Sequence, residues 1–373
     1  MYREGKASIK YTKDSFLNAS ARVPRDISVA FVDEVADRKT SVLDATAATG
    51  IRGIRYYLET PSKKVTFLDI NKHAFASLKR NINLNKIKAV ALNQSIQEFS
   101  GNSADKFDVI DLDPFGGVNP YIYDLMKVSR GGTHLLITAT DAAVLCGADY
   151  KACLRLYDAR PMHNELCKEV ALRILIGYVA RIAAQFNFGV DVKLSFSYMH
   201  YMRVFLQLGH GSKSALESVK KLGYAYYCGK CGYRNIESSF FPLADKCINC
   251  GNKLEIAGKL WCDSIFQESL VESLINRMAS DYIEDWSGPH AYGRESIQFL
   301  RKVSKEIDMP LYYSVPKLTR KLGVGAVSDT KLMELLKKRG FRVSPTHLER
   351  DSIRTNAGIK EILKCVKNLS KGY

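Results

Sequence analysis

Asp113, Pro114 and Phe115 follow the apolar pair Val109–Ile110 and precede Gly116 and Gly117. This order puts a carboxylate, a fixed turn and an aromatic ring at the mouth of a buried strand. If neighbouring strand ends hold a methyl donor, such a set would meet its acceptor, and the exocyclic amine of a nucleic-acid base fits it. That amine is a weak nucleophile, because its lone pair is delocalised into the ring, and positive charge develops on nitrogen as it attacks a methyl carbon. The Asp113 carboxylate and the Pro114 carbonyl would accept its hydrogens and stabilise the charge. Phe115 would stack on the base, worth about 1–3 kcal/mol. Gly116 and Gly117 are expected to leave room for it.

Two further aspartates end apolar runs. The stretch VLDATAATGIRG, residues 42–53, reads as strand, small-residue loop and helix start, with Asp44 at the strand end. It lacks the spaced glycines of a dinucleotide fingerprint, since Ala47 and Ala48 stand in the loop. Asp44 suits an ammonium group. Asp69 ends the next strand, where a carboxylate accepts ribose hydroxyls. An ammonium, a ribose and no pyrophosphate describe S-adenosylmethionine.

Cys228-x2-Cys231 is followed after 15 residues by Cys247-x2-Cys250. Paired CxxC motifs at this spacing predict a structural zinc site, with Gly232 and Gly251 in the knuckles. Four thiolates fill all four positions, which leaves no open position for catalysis. Cys146, Cys153, Cys167, Cys262 and Cys365 are expected to be packing residues, and His200 and His210 structural ones.

These groups need a scaffold that brings strand ends together. TSVLDA, KVTFLDI, AVALNQ, KFDVIDLD and THLLITAT read as strands, separated by the helices GIRGIRYYLE, KHAFASLKRNINLN and PYIYDLMKVS. The alternation predicts an α/β fold with a parallel sheet. A long helix is predicted over 162–186, then two closing strands to 210. Residues 211–262 turn short, glycine-rich and cysteine-paired, and from 263 the chain reads as helical. The segment SVPKLTRKLGVGAVSDTKLMELLKKRGFRVS resembles a helix-turn-helix module. The expected divisions are therefore 1–210, 211–262 and 263–373.

The chain has 373 residues, 46% of them hydrophobic, and a formal net charge of +16. No apolar run is long enough for a membrane span. The start, MYREGKASIK, has no apolar segment of a secretory signal, so a reducing, cytoplasmic setting is expected, with no disulfide framework. Residues 301–373 hold 17 Lys/Arg against 7 Asp/Glu, supplying +10 of the +16. This concentration predicts a polyanion partner, nucleic acid first.

The sequence resembles the tRNA (guanine-N2) dimethyltransferase family in its short archaeal form. The resemblance rests on Glu4-Gly5-Lys6-Ala7, Arg25-Asp26, DATAATGIRGIR, Asp69, Asp113-Pro114-Phe115-Gly116, THLLITATDAAVLCG, HYMRV and the cysteine quartet, spread over most of the first 262 residues. It implies a class I (Rossmann-like) S-adenosylmethionine-dependent methyltransferase domain, with a smaller α+β C-terminal domain carrying the zinc-ribbon-like segment. It implies N2,N2-dimethylation of guanosine 26 in tRNA. It also implies that Arg25, Arg52, Asp69, Ser95 and Ile96 contact the cofactor. Asp113 would be the catalytic acceptor, with Phe16 and Phe115 bracketing the base. Leu17, Asn18 and Ala19 stand where the family usually has Tyr, Asn and Pro, and Ser95 where it usually has Asp. No obligate protein partner is expected. Two alternatives are another amine acceptor, such as adenine or a protein glutamine, and a non-catalytic zinc-ribbon RNA-binding protein. The number of methyls added stays open from sequence.

Overall fold

The computed structural model describes residues 1–11, 17–284 and 292–371, so Phe16 lies outside the described residues. A hairpin, β1 (Tyr2–Glu4) and β2 (Ala7–Ile9), leads to helix α1 (Arg22–Val35). The expected alternation follows: β3 (Ser41–Asp44), α2 (Ile51–Glu59), β4 (Lys64–Leu68), α3 (Lys72–Leu84), β5 (Val90–Leu92), α4 (Ile96–Asn102), β6 (Val109–Leu112), α5 (Asn119–Lys127) and β7 (His134–Ala139). Two short helices that the apolar pattern does not announce, α6 (Ala142–Leu145) and α7 (Tyr150–Tyr157), precede α8 (Cys167–Gln185). The closing pair is β8 (Phe188–Tyr198) and β9 (Tyr201–His210).

Helix starts are set locally. Asn71 caps α3 by accepting from the amides of His73 and Ala74 at 2.9 and 3.2 Å. Ser95 and Glu98 form a reciprocal capping box at α4. The strands that the sequence shows as unbroken apolar runs are covered by helices on both faces.

The seven strands lie in the order β5-β4-β3-β6-β7-β9-β8. The first five are parallel, and β9 enters antiparallel between β7 and β8. Chain order reverses between β3 and β6. That switch point is where ligands sit in open α/β sheets, and it carries Asp44 on one side and Asp113 on the other.

After α9 (Ser212–Lys220), a three-stranded sheet of β10 (Leu222–Tyr227), β11 (Arg234–Ser238) and β12 (Glu255–Trp261) holds the cysteine knuckles. Helices α10 (Glu268–Glu284) and α11 (Arg294–Val303) come next. The last part consists of β13 (Tyr313–Ser314), α12 (Val315–Leu322), α13 (Asp329–Lys338), β14 (Val343–Pro345), β15 (Ser352–Thr355) and α14 (Ile359–Ser370). The glycine turn between α12 and α13 is present, with Gly323 left-handed at φ +62°.

Packing divides the chain differently from composition. Val271, Leu274, Met278, Ile297 and Leu300 of α10 and α11 belong to the same apolar core as the sheet. Arg277 ties α10 to Asp33 and Glu34 of α1 at 2.6 and 2.9 Å. The second core gathers Tyr313, Leu318, Leu332, Leu336, Ile353 and Ile362. The apolar boundary therefore falls near 312, fifty residues beyond the compositional change, because α10 and α11 cover α1.

Candidate functional site

The C-terminal ends of β3, β4 and β6 open on a cavity of about 590 Å³, a size suited to a small-molecule ligand. Arg25, Asp44, Arg52, Asp69, Ser95, Ile96, Asp113, Pro114 and Phe115 all line it. Nine of the ten residues singled out for the cofactor and the base thus share one wall system, and the tenth is Phe16.

The loop after β3 is shaped by its small residues. Gly50 takes φ +82°, and a Cβ there would come 2.4 Å from Leu78 Cδ1. The Ala48 amide donates to Asp69 Oδ2 at 2.7 Å, and the Asn71 amide to Asp69 Oδ1 at 2.8 Å. These bonds aim the carboxylate into the cavity, while burial raises its pKa and outweighs them. Thr49 in this loop has a buried hydroxyl with no hydrogen-bond partner among the described residues.

Asp44 is only 2% exposed and accepts from the Gly53 amide at 3.0 Å. Burial, with the nearby Asp111 charge, pushes its pKa up to about 7. An acid in that state is poised to ionise against an arriving cation.

Asp113 is bound by Arg52, Nη2 to Oδ2 at 2.5 Å, and its amide donates to Thr46 Oγ1 at 3.0 Å. Burial works against the Arg52 charge, but Asp113 and Asp111 outweigh it and keep the guanidinium protonated. Phe115 stands 72% exposed at the rim.

The structure corrects the expectation for the two glycines, since neither Gly116 nor Gly117 lines the cavity. Gly116 is left-handed at φ +81° and its amide donates to Thr140 Oγ1 at 2.8 Å. A Cβ on Gly117 would stand 2.9 Å from both Asn119 Oδ1 and Asp141 Oδ2. They shape the turn that presents Phe115 and do not make space for a base.

Two lining residues are already engaged. Arg25 gives Nε and Nη2 to Glu4 at 2.7 and 2.5 Å and Nη1 to the Asn18 carbonyl at 2.8 Å. Burial alone would raise the Glu4 pKa, but Arg25 and Arg55 hold it down to about 2. This pins the N-terminal hairpin beside the site. The Ser95 hydroxyl is held by its capping box with Glu98.

Several residues at or behind the cavity were given no site role from sequence. Asp111, in the middle of β6, is fully buried and accepts from Arg203 through both oxygens at 2.9 and 2.8 Å and from the Tyr56 hydroxyl. Its signal was an acid inside an apolar strand, which demands a buried cation. Asn18 Nδ2 donates to Tyr201 Oη at 2.6 Å, and Tyr201, Thr140, Tyr121, Gln94 and His200 line the cavity. His200, expected to be structural, is an exposed residue at the β8–β9 turn and lies against the Tyr201 ring.

The four cysteine sulfurs lie within 4.8 Å of one another. Cys228 and Cys250 are 3.5 Å apart, as are Cys231 and Cys247. The Gly232 and Gly251 amides close the knuckles on the Cys228 and Cys247 carbonyls at 2.9 and 2.8 Å. Tetrahedral zinc with bonds of about 2.3 Å needs sulfurs about 3.8 Å apart. Donor type, number and spacing fit that ion.

The N2,N2-dimethylguanosine tRNA methyltransferase family (TRM) matches residues 2–367. Among curated relatives, the tRNA (guanine(26)-N(2))-dimethyltransferase of Pyrococcus horikoshii is 31% identical, with 98% of each chain covered. The enzyme of the same description from Thermococcus kodakarensis is 34% identical over 98% of this chain and 96% of its own. The solved structure of Trm1 from Pyrococcus horikoshii with S-adenosyl-L-methionine superposes with a TM-score of 0.89 at 31% identity, again over 98% of both chains. With its three strand-end aspartates around one cavity and these matches along its length, the chain belongs to the N2,N2-dimethylguanosine tRNA methyltransferase family.

Proposed function

We propose that the chain transfers methyl groups from S-adenosylmethionine to N2 of guanosine 26 in tRNA, giving N2,N2-dimethylguanosine. The observation that carries this reading is the Asp113-Pro114-Phe115 turn standing at one rim of the cavity whose other walls hold Asp44 and Asp69. Asp44 binds the ammonium, Asp69 the ribose hydroxyls, and Arg52 the carboxylate of the amino-acid end. The fit is supported by the ionisable Asp44 and by the unpartnered Thr49 hydroxyl. When bound, the cofactor supplies an electrophilic methyl on sulfonium sulfur. Phe115 stacks on the guanine and turns its amine toward that methyl. The Asp113 carboxylate and the Pro114 carbonyl accept the amine hydrogens, and the proton that nitrogen loses leaves through Asp113 to solvent. S-adenosylhomocysteine is the other product of each transfer. Mass spectrometry of nucleosides from unmodified tRNA tests the assignment. Mono- and dimethylguanosine are expected, and methyladenosine alone would refute it.

Asp44 makes cofactor affinity depend on pH. Its pKa is about 7 in the free site, and an ammonium partner lowers it, so binding expels a proton. Affinity should tighten about tenfold per unit as pH rises from about 5.5 toward 7, then level off. The same group, raised in the folded state, costs the free protein stability as pH rises through that window. Asp44→Asn should flatten the pH dependence of S-adenosylhomocysteine binding, measured calorimetrically, and weaken binding at pH 7.5. An unchanged pH slope in this variant would show that another group takes up the proton.

The four thiolates hold one structural zinc ion. Metal analysis should give about one zinc per chain, and its removal should cost the folding energy of the knuckles. Hydrogen exchange after chelation should rise in β10–β12 while the sheet stays protected. Four titratable thiols in a metal-free, folded segment would refute the site.

The tRNA backbone lies against the basic C-terminal part, where Arg320, Lys321, Lys331, Lys337, Lys338 and Arg339 are exposed on α12, α13 and the residue beyond. No described helix is long and apolar enough to cross a membrane, and the reading places the chain in the cytoplasm with its RNA substrate.

A further inference from the structure

Among the described residues, two guanidinium groups line the cavity, those of Arg25 and Arg52. Arg25 spends three of its nitrogens on Glu4 and the Asn18 carbonyl. Arg52 differs, because its closest partner, Asp113, itself faces the cavity with 26% of its side chain exposed. The other contacts of Arg52 are longer, at 3.6 Å to Asp111 and 3.5 Å to Ser28 Oγ. Asp111 keeps a nearer partner when Arg52 moves, since Arg203 holds it in a two-pronged ion pair. One cation and one carboxylate on the cavity wall therefore satisfy each other at 2.5 Å.

Two ligands make opposite claims on this pair. The carboxylate of an amino-acid moiety needs a guanidinium, and Arg52 is the one whose partner can be exchanged. The guanine amine needs an unopposed carboxylate, because a cation fixed on Asp113 works against positive charge growing on nitrogen. We propose that Arg52 and Asp113 form an exchangeable ion pair: Arg52 holds Asp113 in the free protein and passes to the cofactor carboxylate, releasing Asp113 for the target amine. The cofactor then binds first and the base is seated second. The inference rests on the methyltransferase function proposed for this cavity and adds an order to it. No covalent bond changes in the exchange: Arg52 keeps a carboxylate partner before and after it, and Asp113 is left unopposed for the amine.

Calorimetry on the full chain tests the exchange with two probes, S-adenosylhomocysteine and its decarboxylated analogue, which keeps the nucleoside, thioether and ammonium. Asp113→Asn spares Arg52 the loss of a charged partner. The variant should bind S-adenosylhomocysteine about tenfold more tightly, the scale of one charge-assisted hydrogen bond, and the decarboxylated analogue unchanged within about twofold. Equal effects on both probes, or none on either, overturn the exchange. A second arm needs no variant. Binding of tRNA carrying 2-aminopurine at the target guanosine should tighten about tenfold with S-adenosylhomocysteine and not with the analogue, as reciprocal coupling requires. Equal enhancement by the two probes, or none, also overturns it. A chain that binds neither probe refutes the methyltransferase function and the exchange together. One that binds S-adenosylhomocysteine and methylates guanosine, yet fails either arm, refutes the exchange alone.

Discussion

Asp113→Ala lowers the single-turnover rate of methyl transfer to tRNA by about two to three orders of magnitude, the scale of losing one preorganised polar group. The carboxylate sits at the end of β6, on the far side of the switch point from Asp44 and Asp69. The Asp113 amide donates to Thr46 Oγ1, which fixes the backbone at the strand end, so the carboxylate is in place for the amine once Arg52 has passed to the cofactor. Alanine keeps the turn, the Pro114 carbonyl and the Phe115 face, so binding of the base should change little. Cofactor affinity does not fall, because the residues assigned to its ammonium and ribose are untouched. Asparagine at 113 restores one acceptor without charge and should recover part of the rate. A variant with alanine at 113 that methylates at the wild-type rate would remove Asp113 from the mechanism.

What could be read in the sequence follows from what is local. β3, β4, β6 and β7 showed as apolar runs because their side chains are mostly buried, and Asp44, Asp69 and Asp113 interrupt the first three visibly. The cysteine quartet was legible because its spacing is itself the geometry of the site. Other features depend on partners far along the chain. Glu4 and Arg25, and Asp111 and Arg203, are pairs whose members appear as isolated charges in sequence. The inclusion of α10 and α11 in the main core depends on α1, 239 positions earlier at the Ser273–Glu34 contact. The roles of Gly116 and Gly117 were misjudged because a glycine announces freedom without saying whether it serves a ligand or a turn. That His200 faces the cavity was not visible, because a strand-flanking histidine carries no mark of which way its turn faces.

The Asp111–Arg203 pair carries the largest expected effect on stability. Both side chains have no exposed surface, and they join β6 to β9 through two hydrogen bonds at 2.9 and 2.8 Å. Arg203 also reaches Thr138 Oγ1 at 2.7 Å and Ser28 Oγ at 2.8 Å, so one side chain ties β9 to β6, β7 and α1. Burial would raise the Asp111 pKa, but Arg203 and Arg52 more than compensate and hold it below the usual carboxylate value. Its contribution to stability is therefore present above the unfolded carboxylate pKa and is lost as pH falls through the lower folded value. Arg203→Met keeps much of the volume and leaves Asp111 with only Tyr56 and the more distant Arg52. Urea unfolding at pH 7 should show a loss of about 3–5 kcal/mol, the cost of stranding one partner of a buried pair. The pH dependence then reverses. Asp111 becomes a carboxylate raised by burial, and the variant should lose stability as pH rises from about 4 toward 7. Adding Asp111→Asn removes the stranded charge and should recover more than half of the loss, since a neutral amide still accepts from Tyr56. If the double variant is as unstable as the single one, packing of the Arg203 stem, and not the orphaned charge, sets the cost.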